Sequence, residues 1–294
     1  MEHLDSILVS AQVEVSPSRV RGRLPWVREI LVISAVYLVY GFVRNQFGSA
    51  QLRASDAPLH SFNNAIHVIN IEKAIGLFHE STIQHWFLGT PFIEFFNIFY
   101  GTAHFIVTLG VLVWLFVRRH HLFARWRTML MVTTVLALVG FALFPLMPPR
   151  LVNALPADSR YGGGDLAAKS HVPDYGFVDT LRDGEGLWSF DSAGMDDISN
   201  QYAAMPSLHI AWSVWCTLAL CRFSRRRSSR ILAVLYPIVT LVAIVATANH
   251  YIIDAVGGLA IVLAGYLATT MIDHLQQRRH PAVVSQGEDV LVTA

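Results

Sequence analysis

Residues 249–272 read NHYIIDAVGGLAIVLAGYLATTMI. Residues 251–272 form an apolar run of the length needed to cross a bilayer, about 20 residues. At its mouth stand His250 and Asp254, four positions apart. Ionisable side chains are costly in hydrocarbon, so a pair at this depth calls for a functional reason.

The rest of the chain fits a membrane setting. Of 294 residues, 53% are hydrophobic and 15% charged, with a mean hydropathy of +0.44. Soluble domains carry about 25% charged residues. The net charge of +1 leaves no basic excess to neutralise phosphate backbones, which argues against a nucleic-acid partner. Cys216 and Cys221 lie in an apolar segment and read as small fillers, not as a disulfide framework or a metal site.

Six stretches are apolar enough to span: residues 26–43, 91–117, 128–146, 206–221, 231–248 and 251–272. The stretch 58–87 mixes polar and apolar residues, with Leu59, Phe62, Ile66 and Ile69 at helical spacing, and reads as a helix lying at the interface. FGSAQ follows the first span, but a long arm precedes it and five spans follow. It is expected to be an uncleaved signal anchor. The connections on one side hold 15 Lys and Arg residues and those on the other hold 7. The richer side is cytoplasmic by the positive-inside rule. The expected fold is therefore all-α: a polytopic six-transmembrane-helix bundle with an interfacial helix and a long extracytoplasmic loop, 147–205. A cytoplasmic arm (1–25) precedes the membrane domain (26–275), and a cytoplasmic tail (276–294) follows it.

On this map several polar residues collect at one level. The third span ends in FPLMPPRLV, whose prolines stop the helix and put Arg150 on a stiff stub at the outer face. The fourth opens with MPSLHIAW; Pro206 suits a first helical position, and His209 follows about one turn inside. In the sixth, His250 and Asp254 share one helix face. Asp254 can accept from one ring nitrogen of His250, leaving the other free as a nucleophile. His209 can pass a proton to a leaving oxygen and take one from an acceptor. Arg150 is a planar, permanent clamp for phosphate oxygens. The N-terminus of the fourth helix, with the Ser207 hydroxyl, adds donors for an anion. The set reads as a phosphoryl-transfer site that uses neither metal nor cofactor.

The same motifs carry a family likeness. AAMPSLHIAW (203–212) and NHYIIDAVGG (249–258), preceded by FPLMPPRL (144–151), resemble the motifs of the type 2 phosphatidic acid phosphatase superfamily. The branch they resemble contains inositol phosphorylceramide synthase and its inositolphosphotransferase-like bacterial relatives. The likeness runs from about residue 92 to 271 and includes NIFYGTAH (97–104). It implies a six-helix bundle with its site at one membrane face and a covalent phosphohistidine formed without metal. By this resemblance His250 carries the phosphoryl group, Asp254 supports it and His209 protonates the leaving group. The phosphatase branch places a Ser-Arg pair before the nucleophile and a Lys before the clamp Arg. LVAIVATANH (241–250) has no Arg, and the Leu143 region offers no Lys. Both departures agree better with the phosphotransferase branch.

The second span carries Glu94, Asn97, Gly101 and His104 at spacings of 3, 4 and 3, with Tyr100 beside them. Such a stripe is expected to face the bundle interior. It either bonds across helices or lines a headgroup or acceptor pocket together with Asn249. Two activities share the first half-reaction. One is a phosphotransferase passing phosphate from a membrane lipid donor to an alcohol (an inositol, sugar or lipid hydroxyl). The other is a lipid phosphatase with water as acceptor. A haem or quinone protein using His104, His209 and His250 as ligands is a remote alternative that leaves Arg150 and Asp254 without a role. The loop 147–205, with Trp188 and Phe190, either forms a lid over the site or lies without fixed order.

Overall fold

The computed structural model describes residues 57–155, 161–181 and 201–279, with Val27 and Leu31. The chain divides into two compact units, Met1–Val39 and Tyr40–Ala294. All that follows concerns the second. The expected first span, the N-terminal arm, Trp188, Phe190 and most of the tail lie outside the described residues.

Among these residues the regular structure is all helical. In order come α1 (Ala57–Ala74), α2 (Glu80–Phe87), α3 (Pro91–Arg118), α4 (His120–Leu143), α5 (Pro149–Val152), α6 (Gly164–Lys169), α7 (Leu208–Phe223), α8 (Arg227–Ala246) and α9 (Ile252–Arg279). Four are long and apolar enough to cross a membrane: α3, α4, α8 and α9. Their outer faces are bare hydrocarbon. Phe105, Ile106, Leu109 and Val113 of α3 are all exposed, as are Leu259, Leu263 and Leu267 of α9. Apolar patches of this extent are sustained by lipid, not by water.

The helix bounds differ from the sequence expectation in instructive ways. Helix α4 starts eight residues before the apolar run, because HHLFARWR extends the helix past the hydrophobic stretch. It stops at Leu143, not 146. Phe144 precedes Pro145 and leaves the helical region (φ −136°, ψ 71°), which the following proline disfavours. The stretch expected to lie at the interface is two helices rather than one, broken by a turn in which Gly76 adopts φ 72°. Helix α9 continues to Arg279, past the expected end at 272.

Helix α7, at 16 residues, spans only about 24 Å. It can be short because it stands in the middle, touching α3, α4, α8 and α9. Ala211, Trp215, Cys216 and Ala219 are wholly buried. The indole N–H of Trp215 reaches the Trp126 carbonyl at 3.1 Å and that of Trp212 reaches Thr134 Oγ1 at 3.0 Å, so neither is left unpaired.

Glycine sets how closely α7 meets its neighbours. A Cβ on Gly258 would lie 2.5 Å from the Ser207 carbonyl oxygen and 3.1 Å from Ile210 Cβ. One on Gly140 would meet Pro206 Cδ at 2.5 Å. The start of α7 is thus seated between α4 and α9 on residues without side chains. Gly258→Val is expected to cost about 1–3 kcal/mol through overpacking. Gly110→Ala, whose Cβ meets nothing within 4 Å, should cost nothing. Thermal unfolding of the two variants in detergent compares them directly.

Two loops meet at the end of the bundle where α7 begins. Leu146 pairs with Ala203 in a parallel bridge, and Leu146 N donates to Tyr202 O at 2.8 Å. FPLMPPR and AAMPSLH therefore run side by side.

Candidate active site

The turn between α8 and α9 holds the nucleophile candidate. Asn249 N and His250 N both donate to the Ile244 carbonyl, at 3.0 and 3.2 Å, and Ala248 takes φ 49° to allow it. His250 precedes α9 by two residues, so it does not share a helix face with Asp254 as its spacing implied. Asp254 instead reaches back from the first turn of α9. Its Oδ2 accepts from Tyr251 N at 2.9 Å and lies 3.2 Å from His250 Nδ1. An aspartate capping its own helix start in this way fixes the imidazole with the same oxygen. Asp254 is fully buried, and His250 is 3% exposed.

Arg150 sits on α5, a single turn that opens with the last of the three prolines. Its backbone N–H donates to Ala248 O at 2.9 Å. Its side chain is buried, and each guanidinium nitrogen has a partner. Nε donates to Asn249 Oδ1 at 2.9 Å, one terminal nitrogen to Asp179 Oδ2 at 2.6 Å, and the other to Gln201 Oε1. Tyr251 adds a second tie to this loop by donating from its hydroxyl to the Met147 carbonyl at 3.1 Å. The guanidinium is thus fixed to the residue next to His250 in sequence.

His209 enters from the first turn of α7. Its ring lies 5.4 Å from that of His250, centre to centre. Tyr100 stacks on it at 4.3 Å, and His104 meets its edge at 4.2 Å. The Tyr100 carbonyl accepts from His104 Nδ1 at 3.0 Å and also bonds His209. A narrow crevice, too tight to admit a water molecule, lies alongside, lined by Tyr100, His104, His209, Tyr236 and Thr240 among others.

The remaining expected residues fall as follows. Ser207 is buried and is the N-cap of α7; its Oγ accepts from Ile210 N at 3.5 Å, while its N–H donates to the Asp254 carbonyl at 3.0 Å. Pro206 lies just outside the helix it was expected to start. Asn97 faces inward, but it bonds the loop: Nδ2 donates to Thr180 O at 2.9 Å, and Oδ1 accepts from Thr180 Oγ1 at 3.0 Å. Glu94 departs from the inward stripe. It is exposed in the first turn of α3, where a negative charge complements the helix dipole and keeps its water.

Sequence reasoning missed Asp179, Gln201 and Gln84. Gln84 on α2 brackets Val178, donating to its carbonyl at 2.8 Å and accepting from its N–H at 3.0 Å. With Asn97 holding Thr180, two side-chain amides grip the segment on either side of Asp179. The only signal for this was an Asp within a polar loop, which reads locally as a turn.

The chain matches the PAP2 superfamily model over residues 66–268. It belongs to the PAP2 superfamily. Its members are phosphatases or phosphotransferases, which makes this protein an enzyme of that general type. No curated protein and no solved structure matches the chain. The matched range contains every residue of the cluster around His250.

Proposed function

We propose that this PAP2 superfamily protein is an integral membrane phosphotransferase that takes a phosphoryl group from a lipid phosphate and passes it to an alcohol. The observation that carries the reading is the unit Arg150–Asn249–His250–Asp254, set against a second imidazole, His209. Asp254 accepts from His250 Nδ1, so Nε2 holds the lone pair. Nε2 attacks phosphorus, a P–N bond forms, and the P–O bond to the leaving group breaks. His209 gives its proton to that oxygen. The acceptor hydroxyl then attacks phosphorus, His209 takes its proton, and the P–N bond breaks. Arg150 holds the non-bridging oxygens throughout. The steps need no metal ion.

The bundle in this reading has six spans, with residues 26–43 supplying the first, α7 the short central one, and α1 and α2 lying at the interface. The termini are cytoplasmic and the site is extracytoplasmic, in keeping with the 15-to-7 division of basic residues. Water as acceptor would make the enzyme a phosphatase. Burial of His250 and the gripped loop beside Arg150 favour an alcohol, since both limit water at the phosphorus.

Purified protein incubated with labelled lipid phosphates, with and without inositol, sugars or lipid alcohols, tests this. Label should move to an alcohol faster than to water. Release to water alone would select the phosphatase, and no phosphohistidine in either case would end the reading.

The segment 175–181 acts in this scheme as a lid whose Asp179 occupies the anion position on Arg150. Asp179→Asn should strengthen inhibition by inorganic phosphate about tenfold, because the ion no longer displaces a charge-assisted bond. Unchanged inhibition would show that phosphate binds elsewhere.

A further inference from the structure

Two carboxyl groups that the chemistry above does not use are buried next to it. Glu72, near the end of α1, and Glu80, the first residue of α2, are both 0% exposed. Glu80 Oε1 accepts from Ile252 N at 3.0 Å, and Glu72 Oε1 accepts from Ile253 N at 2.8 Å. These N–H groups open α9 and have no acceptor within the helix. Asp254 takes the N–H just before them, that of Tyr251. Three consecutive amides after His250 are thus each held by a carboxyl, from three different elements.

The other oxygens, Glu72 Oε2 and Glu80 Oε2, are buried and meet no N–H or hydroxyl donor among the described residues. The two carboxyls are nevertheless neighbours, since they hold the adjacent amides of Ile252 and Ile253, and each charge weighs on the other. Two bare carboxylates buried this close repel without a donor between them, and one proton shared by the pair relieves both.

We propose that Glu72 and Glu80 share one proton and act as a positioning pair, clamping the start of α9 so that His250 and Asp254 are held for phosphoryl transfer. The proposal rests on His250 being the nucleophile. One shared negative charge suits a helix N-terminus. A second, beside Asp254, would crowd three charges around one turn. The other groups facing the pair are Asp254 and the Tyr251 hydroxyl. Lys73 does not relieve it, since its ammonium lies over the rings of Tyr175 and Phe78, at 4.3 and 5.1 Å. Burial, then the neighbouring Glu80, raises the Glu72 carboxyl to about 9. A proton held more tightly in the folded chain than in the unfolded one favours folding most in acid. That advantage shrinks as pH climbs from the ordinary glutamate range and is lost above about 9.

The test uses the full-length protein in phosphatidylcholine nanodiscs, with Tm and lipid-phosphate turnover followed from pH 5 to 9. The wild-type Tm should fall across this range. Glu72→Gln keeps an acceptor for Ile253 N and a donor for Glu80, but has no proton to lose. It should flatten the fall and keep kcat within about threefold at pH 6, whereas Glu72→Ala and Glu80→Ala lose about tenfold or more in kcat with KM little changed. Glu80→Gln should behave as Glu72→Gln does. The pair is overturned if both glutamine variants keep the wild-type slope of Tm, if both are as impaired as the alanine variants at pH 6, or if neither folds. A wild-type protein that turns over no lipid phosphate refutes the proposed function instead, and the slope of Tm still decides whether the pair shares a proton.

Discussion

Replacing His250 with glutamine is expected to abolish turnover, by about 10⁴-fold or more. Glutamine can still donate to Asp254 Oδ2, which now lies 3.2 Å from His250 Nδ1, so the turn before α9 should keep its shape. What it cannot do is form a stable P–N bond. The cleanest readout is the intermediate. Wild-type protein quenched during turnover of a labelled donor should carry acid-labile label, and the variant should carry none. Unlabelled wild-type protein would count against the covalent route. A His250→Gln variant with a tenth or more of normal activity would do so equally. The Tm of the variant should stay near that of the wild type, which separates lost chemistry from lost fold.

The second large effect is expected at Arg150. Its guanidinium joins three groups that otherwise have little in common: Asn249, Asp179 and Gln201. Arg150→Lys offers one ammonium in place of a planar fork and cannot reach all three. Turnover should fall about 10²–10³-fold, the range seen when an oxyanion donor is removed. Arg150→Ala should also destabilise the protein, by about 3–5 kcal/mol, because Asp179 is left nearly buried without its partner. The double variant Arg150→Ala, Asp179→Asn removes the stranded charge. Its Tm should recover most of the loss while its activity does not. Recovery of both would mean that Arg150 is structural and that phosphate is held elsewhere.

Much of the membrane architecture was legible in the chain because spanning segments declare themselves locally. The apolar runs at 91–117, 231–248 and 251–272 fall on helices α3, α8 and α9, though α8 ends at Ala246 and α9 runs on to Arg279. The cluster of Arg150, His209, His250 and Asp254 was legible for a related reason. In a sequence so poor in charge, each ionisable group near a span stands out, and topology alone assigns them a common depth. The details that failed were set by tertiary contacts. The placement of His250 ahead of α9 depends on the turn that follows α8, in which Ala248 takes a positive φ. Glu72 and Glu80 bond residues more than 170 positions away, and no local pattern foretells that. Their stretch read as an amphipathic surface helix because its apolar residues recur at helical spacing, and two acids among them pass for its wet face. Asn97 was placed on the correct face of its helix, but its partner, Thr180, lies in a loop with no periodicity to read.

The grip of Asp179 on Arg150 bears on the choice of donor. A lipid phosphodiester carries a single charge, as the carboxylate does, so trading one for the other leaves the electroneutrality of the enclosed site unchanged. A monoester brings two charges at neutral pH, and the surplus has no cation waiting for it among the described neighbours of the clamp. Diesters should therefore be turned over in preference to monoesters, and the preference should narrow in mild acid as the monoester itself becomes singly charged.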